Sequence, residues 1–202
     1  MRLLAFTDTH ANKTALNRII AKAEKYKPDF MVCAGDISMF TKGLDKCCAI
    51  LNKLNIKILI IPGNHETPED IKSVCSKYPN FINIHSGEFS YNDFSFFGWG
   101  TGGFSFVEEG FERIAKQFKK VFSKKRKLIF VTHAPIYGTR LDDLRVNGLG
   151  HRGCKSTRKF VDEMNPVLVL CGHFHENFRK QDKIKNTLII NPGPDGTIIN
   201  VD

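Results

Sequence analysis

The run Lys57-Ile58-Leu59-Ile60-Ile61 stops at Pro62-Gly63 and passes without a gap into Asn64-His65-Glu66. A continuous apolar run of this length reads as a buried strand, and Pro-Gly is a strong breaker. An amide, an imidazole and a carboxylate at the end of a buried strand are poor core material, because buried polar groups need partners. Taken alone, the stretch is open between a turn, which Asn and Gly favour anyway, and a site. The rest of the chain decides between them.

The same arrangement recurs. The apolar residues 2–7 run into Asp8-Thr9-His10, and Phe30-Met31-Val32-Cys33-Ala34 ends at Gly35-Asp36. Strand 128–132 ends at His133, and strand 167–171 ends at Gly172-His173-Phe174-His175. Helical spacing separates the early strands. Leu16, Ile19, Ile20 and Ala23 mark one helix over 12–26, and Leu44, Cys47, Cys48, Leu51 and Leu54 mark a second. Thr67-Pro68-Glu69-Asp70 opens a third with a capping Thr, Pro at the first position and acids in the first turn. Its apolar face is Ile71, Val74 and Cys75. Strand and helix thus alternate three times in the first 80 residues, the pattern of a parallel α/β sheet. Sites in such sheets lie at the C-terminal edge of the strands.

The pattern then changes. Short strands are predicted at 81–85, 88–91 and 94–99, with a tight Asn92-Asp93 turn and a Gly-rich loop at 100–103. A helix is predicted from about residue 107 to 123, with Phe111, Ile114, Ala115, Phe118, Val121 and Phe122 as its buried side. A polar loop over 134–153 precedes a helix at 155–164. Strand-like runs at 176–181, 187–191 and 196–201 close the chain, the last two joined by Asn191-Pro192-Gly193-Pro194. With no repeat or linker, residues 1–202 read as a single domain. The simplest architecture is two sheets packed on each other with helices outside.

Composition narrows the partners. No apolar run approaches the roughly 20 residues of a membrane span, and Asp8 arrives too early for a signal peptide. The six cysteines are scattered and form no CxxC pair, so they read as small core residues of a reduced, cytoplasmic protein. The net charge of +9 suits either nucleic-acid binding or a solvated Lys-rich surface. The densest run, Lys119-Lys120 and Lys124-Lys125-Arg126-Lys127, falls at a predicted helix end, where cations complement the helix dipole. That favours the surface reading, and a basic surface still attracts phosphate substrates.

Five of the seven histidines lie in the strand-end clusters. Asp8 and His10 are two apart, as are His173 and His175, a spacing that points both side chains to one side of an extended chain. The set offers oxygen and nitrogen ligands without thiolate, which suits Mn, Fe, Zn or Ni. Each cluster alone is a weak signal; the five in this order are a strong one. His85 is assigned to packing or surface. His151 stays open, beside Arg152 in the long loop.

At this point the chain resembles the calcineurin-like metallophosphoesterase family. The ordered signature Asp-x-His, Gly-Asp, Gly-Asn-His-Glu/Asp, His, Gly-His-x-His is matched from Asp8 to His175. The resemblance implies a four-layer α/β/β/α sandwich with two mixed sheets and a site for two divalent metal ions. It implies that Asp8, His10 and His175 hold one ion, that Asn64, His133 and His173 hold the other, and that Asp36 bridges them. It also implies that His65 is not a ligand but a general acid facing the leaving group, with Glu66 or Asp8 nearby to orient it. Two divalent ions carry more charge than Asp8 and Asp36 return, so such a site favours an anionic phosphate and a shared hydroxide, at a metal separation of about 4 Å. A protonated His65 would then serve the leaving alkoxide. No side-chain nucleophile is needed, and the chain holds no Gly-x-Ser-x-Gly or Cys-x5-Arg stretch.

The branch is narrowed by departures. Gly35-Asp36-Ile37-Ser38-Met39-Phe40 lacks the extended Gly-Asp-x-Val-Asp-Arg-Gly of the protein phosphatases. The compact length, Gly172-His173-Phe174-His175-Glu176 and Asn191-Pro192-Gly193 look more like the small phosphodiesterases of the family, acting on a small phosphodiester or nucleotide. The loop Asn147-Gly148-Leu149-Gly150-His151-Arg152-Gly153 resembles one these members carry before the last helix. His151 and Arg152 are therefore expected either on the substrate side or as caps of that helix. Two alternatives remain: a nuclease using the same site, and a protein-binding scaffold of the same fold, since fold alone does not fix function. Retention of His65 disfavours the scaffold.

Overall fold

The computed structural model describes residues 1–145 and 148–202; Asn147, the first residue of the loop that resembles the family, lies outside the described residues. The alternating segments form β1 (Arg2–Phe6), α1 (Lys13–Tyr26), β2 (Phe30–Cys33), α2 (Leu44–Asn52), β3 (Ile58–Ile60), α3 (Pro68–Lys77) and β4 (Phe81–Asn83). Strands β1 to β4 pair in parallel, in sequence order. The second half gives β5 (Glu88–Tyr91), β6 (Phe94–Trp99), α4 (Glu109–Val121), β7 (Lys127–Thr132), α5 (Lys155–Met164), β8 (Leu168–Leu170), β9 (Gln181–Ile184), β10 (Thr187–Ile190) and β11 (Thr197–Asn200). Strand β11 returns to pair antiparallel with β1. The first sheet is therefore ordered β11-β1-β2-β3-β4 and the second β5-β6-β7-β8-β10-β9. Both sheets are mixed.

Strand alternation builds the layers. Leu3 and Ala5 of β1 point between the two sheets, where they meet Val32, Leu59, Phe96, Val131, Leu170 and Ile190. Leu4 and Phe6 point the other way, onto Leu16 and Ile19 of α1 and Cys48 and Leu51 of α2. In the second sheet Ile129 and Val131 face the inter-sheet core, while Leu128 and Phe130 face Phe111, Phe118 and Phe160 of α4 and α5. Three apolar cores between four layers make an α/β/β/α sandwich. Both faces of the central strands are buried, which is why they read as unbroken apolar runs. Five of the six cysteines are buried and all six are free, as expected of core residues.

Two segments differ from expectation. Val121, predicted on the buried side of α4, is exposed. It is the last residue of the helix and lies at the edge of the stripe formed by Phe111, Ala115 and Phe118. The run at 176–181 is not a strand. His175–Asn177 form a single 3-10 turn. Asn177 is buried there, and its Nδ2 donates to the Leu141 carbonyl at 2.8 Å. That bond ties the segment to the loop before α5 rather than to a neighbouring strand. Strand β9 begins only at Gln181, antiparallel to β10.

Candidate metal centre

Asp8, Asp36 and Asn64 follow β1, β2 and β3, which are neighbours in the first sheet; His133 and His173 follow β7 and β8, neighbours in the second. The strand ends are tied together by backbone bonds. Asp8 N donates to Gly35 O at 3.0 Å, His10 N to Asp36 O at 3.0 Å, and Gly172 N to His133 O at 3.0 Å. Helices follow closely after the first and third of these ends. The Asn12 side chain caps α1 by accepting from Thr14 N and Ala15 N, and Thr67 with Asp70 forms a capping box on α3. Asp8, His10, Asp36 and His173 all have positive φ. Each left-handed residue costs roughly 1–2 kcal/mol, and such strain concentrates at functional sites. Gly63 is required by close approach, since a Cβ there would lie 2.0 Å from Asp36 Oδ1.

The seven residues marked as ligands converge in two groups. Asp8 Oδ1 lies 3.9 Å from His10 Nε2 and 3.6 Å from His175 Nε2, and the two imidazole nitrogens are 3.1 Å apart. Asn64 Oδ1 lies 3.0 Å from His133 Nε2 and 2.8 Å from His173 Nδ1. Asp36 Oδ2 stands between the groups, 3.9 Å from His10 Nε2 and 3.5 Å from His133 Nε2.

The donor set fits divalent cations. Among the described residues Asp8 Oδ1 is a buried oxygen without a hydrogen-bond partner, which is costly unless a ligand meets it. The Ser38 carbonyl faces His10 Nδ1 at 3.2 Å and the Ala34 carbonyl faces His133 Nδ1 at 2.9 Å. Those carbonyls place the ring protons outward and leave each Nε2 for the centre, as carbonyl partners do for metal-binding histidines. Burial works against the ionised forms of Asp8 and Asp36, yet the neighbouring imidazoles of His175 and His133, 3.6 Å and 3.5 Å away respectively, hold both carboxyls below the ordinary range. Burial likewise opposes a charge on His133, but its bond to Asp36 and the charges of Asp8 and Asp36 push its titration up to about 9. Burial, reinforced by His133, pushes His173 down to about 4. The two carboxylates that attract a proton here would attract a cation in the same way.

His65 sits at the edge of the first group. Its Nε2 is 3.8 Å from Asp36 Oδ2, and His10, Asp36 and His65 also offer ligand atoms within 4.8 Å of one another. Its Nδ1 accepts the backbone N–H of Phe40 at 3.2 Å, and the Phe40 ring packs on the imidazole at 4.0 Å. Glu66, expected as an orienting group, is elsewhere. It is buried, with Oε2 accepting from Asp36 N and Gly63 N and Oε1 accepting from the Ser38 amide and hydroxyl. It braces the two loops that carry Asp36 and Asn64, and Phe40 takes the orienting part. The only hint of this in the sequence is the apolar pair Met39-Phe40 between Gly35-Asp36 and the second helix.

The remaining predicted residues fall outside the cluster. His151 Nδ1 pairs with Asp142 Oδ1 at 2.8 Å, and the Asp142 carboxylate also accepts from the amides of Gly138, Thr139 and Gly153. Arg152 is exposed, bonded to the Leu149 carbonyl, with its guanidinium 5.9 Å from the Phe106 ring. Neither caps α5, which has no side-chain cap. His85 stacks on Trp99 and accepts from Gly100 N, as a packing residue. At the end of α4, Lys119 pairs with Glu163. A groove of about 520 Å³ opens onto Asp8, His10 and His175, and it shares Arg18 and Asp195 with a second cleft that adds Lys22 and Arg179. Among the described residues no helix is long and apolar enough to cross a membrane.

Residues 1–177 match the family model described as calcineurin-like phosphoesterase. An uncharacterised protein of Methanocaldococcus jannaschii is 30% identical over 207 residues, covering 96% of this chain and 88% of that protein. A probable glycerophosphodiester phosphodiesterase of Arcobacter nitrofigilis is 27% identical over 187 residues, covering 85% of this chain and 66% of that protein. A crystallised protein of Thermus thermophilus has the same fold, with a TM-score of 0.75 at 18% identity over 96% of this chain and 90% of that one. The chain belongs to the calcineurin-like phosphoesterase family, and it is a phosphoric ester hydrolase.

Proposed function

We propose that the chain is a dinuclear-metal-dependent phosphodiesterase acting on a small phosphodiester or nucleotide. Asp8, His10 and His175 hold one divalent ion, Asn64, His133 and His173 hold the other, and Asp36 serves both. The observation that carries this reading is the position of Asp36 Oδ2 between two groups of inward-facing ligand atoms, one of them containing the unpartnered Asp8 Oδ1. When bound, two such ions acidify a water and clamp the phosphoryl oxygens for in-line displacement.

The chain's own residues supply the rest. The Phe40 amide occupies Nδ1 of His65, so the ring's N–H is at Nε2, on the side of Asp36. As the water oxygen bonds to phosphorus and the ester P–O bond breaks, Nε2–H of the neutral ring hydrogen-bonds the departing oxygen and stabilises its developing charge, and that oxygen takes up the proton released when the water is acidified. The products are a phosphomonoester and an alcohol. His65 N donates to Asp36 Oδ1 at 2.9 Å, so the shared carboxylate and His65 are tied to each other across two loops. Arg18, Lys22 and Arg179 gather around Asp195 beside the groove, and the excess of positive charge over its single carboxylate gives anionic substrates a basic approach. Similarity to a probable glycerophosphodiester phosphodiesterase supports diesters as the substrate class.

The test is hydrolysis of bis-p-nitrophenyl phosphate by metal-stripped protein as manganese is added back. The expected outcome is metal-dependent turnover that Asp36→Ala abolishes. Full activity in Asp36→Ala would overturn the assignment.

The basic cleft favours a second reading in which the substrate is a nucleic acid. Its signature is DNA or RNA binding that falls steeply with salt; no binding at low salt removes it.

A further inference from the structure

Two aromatic side chains stand at opposite ends of the centre. Phe104 is 79% exposed, the most exposed large apolar side chain among the described residues, and Phe40 is 66% exposed. Both nevertheless touch site histidines. The Phe40 ring lies 4.0 Å from that of His65, and the Phe104 ring meets His173 edge-on at 4.8 Å. From His65 contacts pass through Asp36 to His133, and from His133 to His173 at 5.2 Å between rings. The two phenylalanines therefore sit one beside each group of ligand atoms.

Neither ring is placed by chance packing. Phe40 and Thr41 both have positive φ, and the pair is pinned by two bonds to one residue: Phe40 N to His65 Nδ1 and Thr41 N to His65 O, each at 3.2 Å. Phe104 is delivered by the Gly-rich loop. Gly103 comes so close to His173 that a Cβ would lie 2.7 Å from its Nε2. Left-handed backbone in a non-glycine residue persists where surrounding structure enforces it, and it clusters at ligand clamps. Exposed aromatic faces held beside a phosphate-binding centre offer stacking to a flat group, and stacking is insensitive to which flat group is offered.

We propose that Phe40 and Phe104 form an aromatic rim that selects phosphate esters carrying a planar aromatic substituent, an aryl group or a nucleobase, over aliphatic ones. The inference rests on the phosphodiesterase reading and names its substrate class. The shared chemistry is the π face; whether it sits directly on the phosphate or one sugar away is decided by experiment.

The experiment is calorimetric binding of product-like monoesters to manganese-loaded protein. Phenyl phosphate is compared with cyclohexyl phosphate, and uridine monophosphate with ribose 5-phosphate. The expected result is tighter binding of the aromatic member by about tenfold in at least one pair, the size of one good stacking contact. A preference in the first pair alone assigns an aryl ester, and in the second alone a base. Phe40→Ala and Phe104→Ala should each reduce the preference and the double variant should erase it, while Phe104→Trp keeps it. Because Phe104 buries so little, its variants carry the test if Phe40→Ala does not fold. Equal binding within both pairs, or a preference that survives the double variant, overturns the inference. Absence of metal-dependent hydrolysis from the wild type instead defeats the function on which it rests; hydrolysis with no aromatic preference defeats the rim alone.

Discussion

The backbone amide of Phe40 donates to His65 Nδ1 at 3.2 Å, and this bond decides which nitrogen of His65 faces the centre. The other nitrogen, Nε2, carries the ring proton and lies 3.8 Å from the Asp36 oxygen that stands between the two ligand groups. A histidine fixed in this way keeps one ring orientation, which is what the proposed role toward a leaving group requires.

His65→Ala should keep its metal and lose chemistry selectively. A hydrogen-bond donor aimed at developing oxyanion charge contributes roughly 10²–10³ in kcat, and most where the leaving alkoxide is basic. The expected outcome is a loss of that size in kcat on alkyl diesters and a much smaller one on p-nitrophenyl esters. A series of esters of graded leaving-group basicity measures it. Parallel rate plots for wild type and variant would contradict the role.

Gly63→Ala tests the close approach of the two strand-end loops. The added Cβ would lie 2.0 Å from Asp36 Oδ1 and 2.4 Å from Asp36 N, and the backbone atom cannot rotate away. Overpacking of this kind costs roughly 1–3 kcal/mol. Urea unfolding should show that loss, together with weakened metal binding because Asp36 is displaced. Wild-type stability and metal affinity would show that the loops are looser than described.

His85 and Trp99 give a pH reporter away from the ligands. Trp99 is the only tryptophan in the chain, and His85 stacks on it at 5.1 Å. Burial lowers the His85 pKa below its ordinary 6.5, with Glu69 partly opposing. A depressed folded pKa contributes stability that is present above the unfolded value and lost as pH falls through the folded value. Trp99 emission should therefore hold steady above pH 6.5, where His85 is neutral in both states. Below it, emission should fall as the imidazolium forms against the indole, and His85→Asn should abolish the change in emission. A transition centred above pH 6.5 would contradict the burial.

Much of this was legible because buried parallel strands must be apolar on both faces. Their ends then show as abrupt changes to Asp8, Asp36, Asn64, His133 and His173. The layers followed from the same runs, whose alternate residues fill two different cores. What the sequence could not show depends on contacts between distant loops. Glu66 looks like a partner for its neighbour His65, yet its carboxylate is taken up by Asp36, Ser38 and Gly63 amides. Phe40 looks like a core residue by type, but its position is set by two hydrogen bonds to a residue 25 positions away. His151 is likewise held by Asp142, a buried carboxylate that gave no signal of its own. The exposed Val121 shows the limit of periodicity at a helix end, where Phe122, the next residue, takes the place on the core beside Phe118.

The most direct test of the shared Asp36 is the number of metal ions per chain. Native mass spectrometry of manganese-loaded protein should find two ions in the wild type, one fewer in Asn64→Ala, and two in His65→Ala. A single ion in the wild type, or an unchanged count in Asn64→Ala, would contradict the two-ion centre.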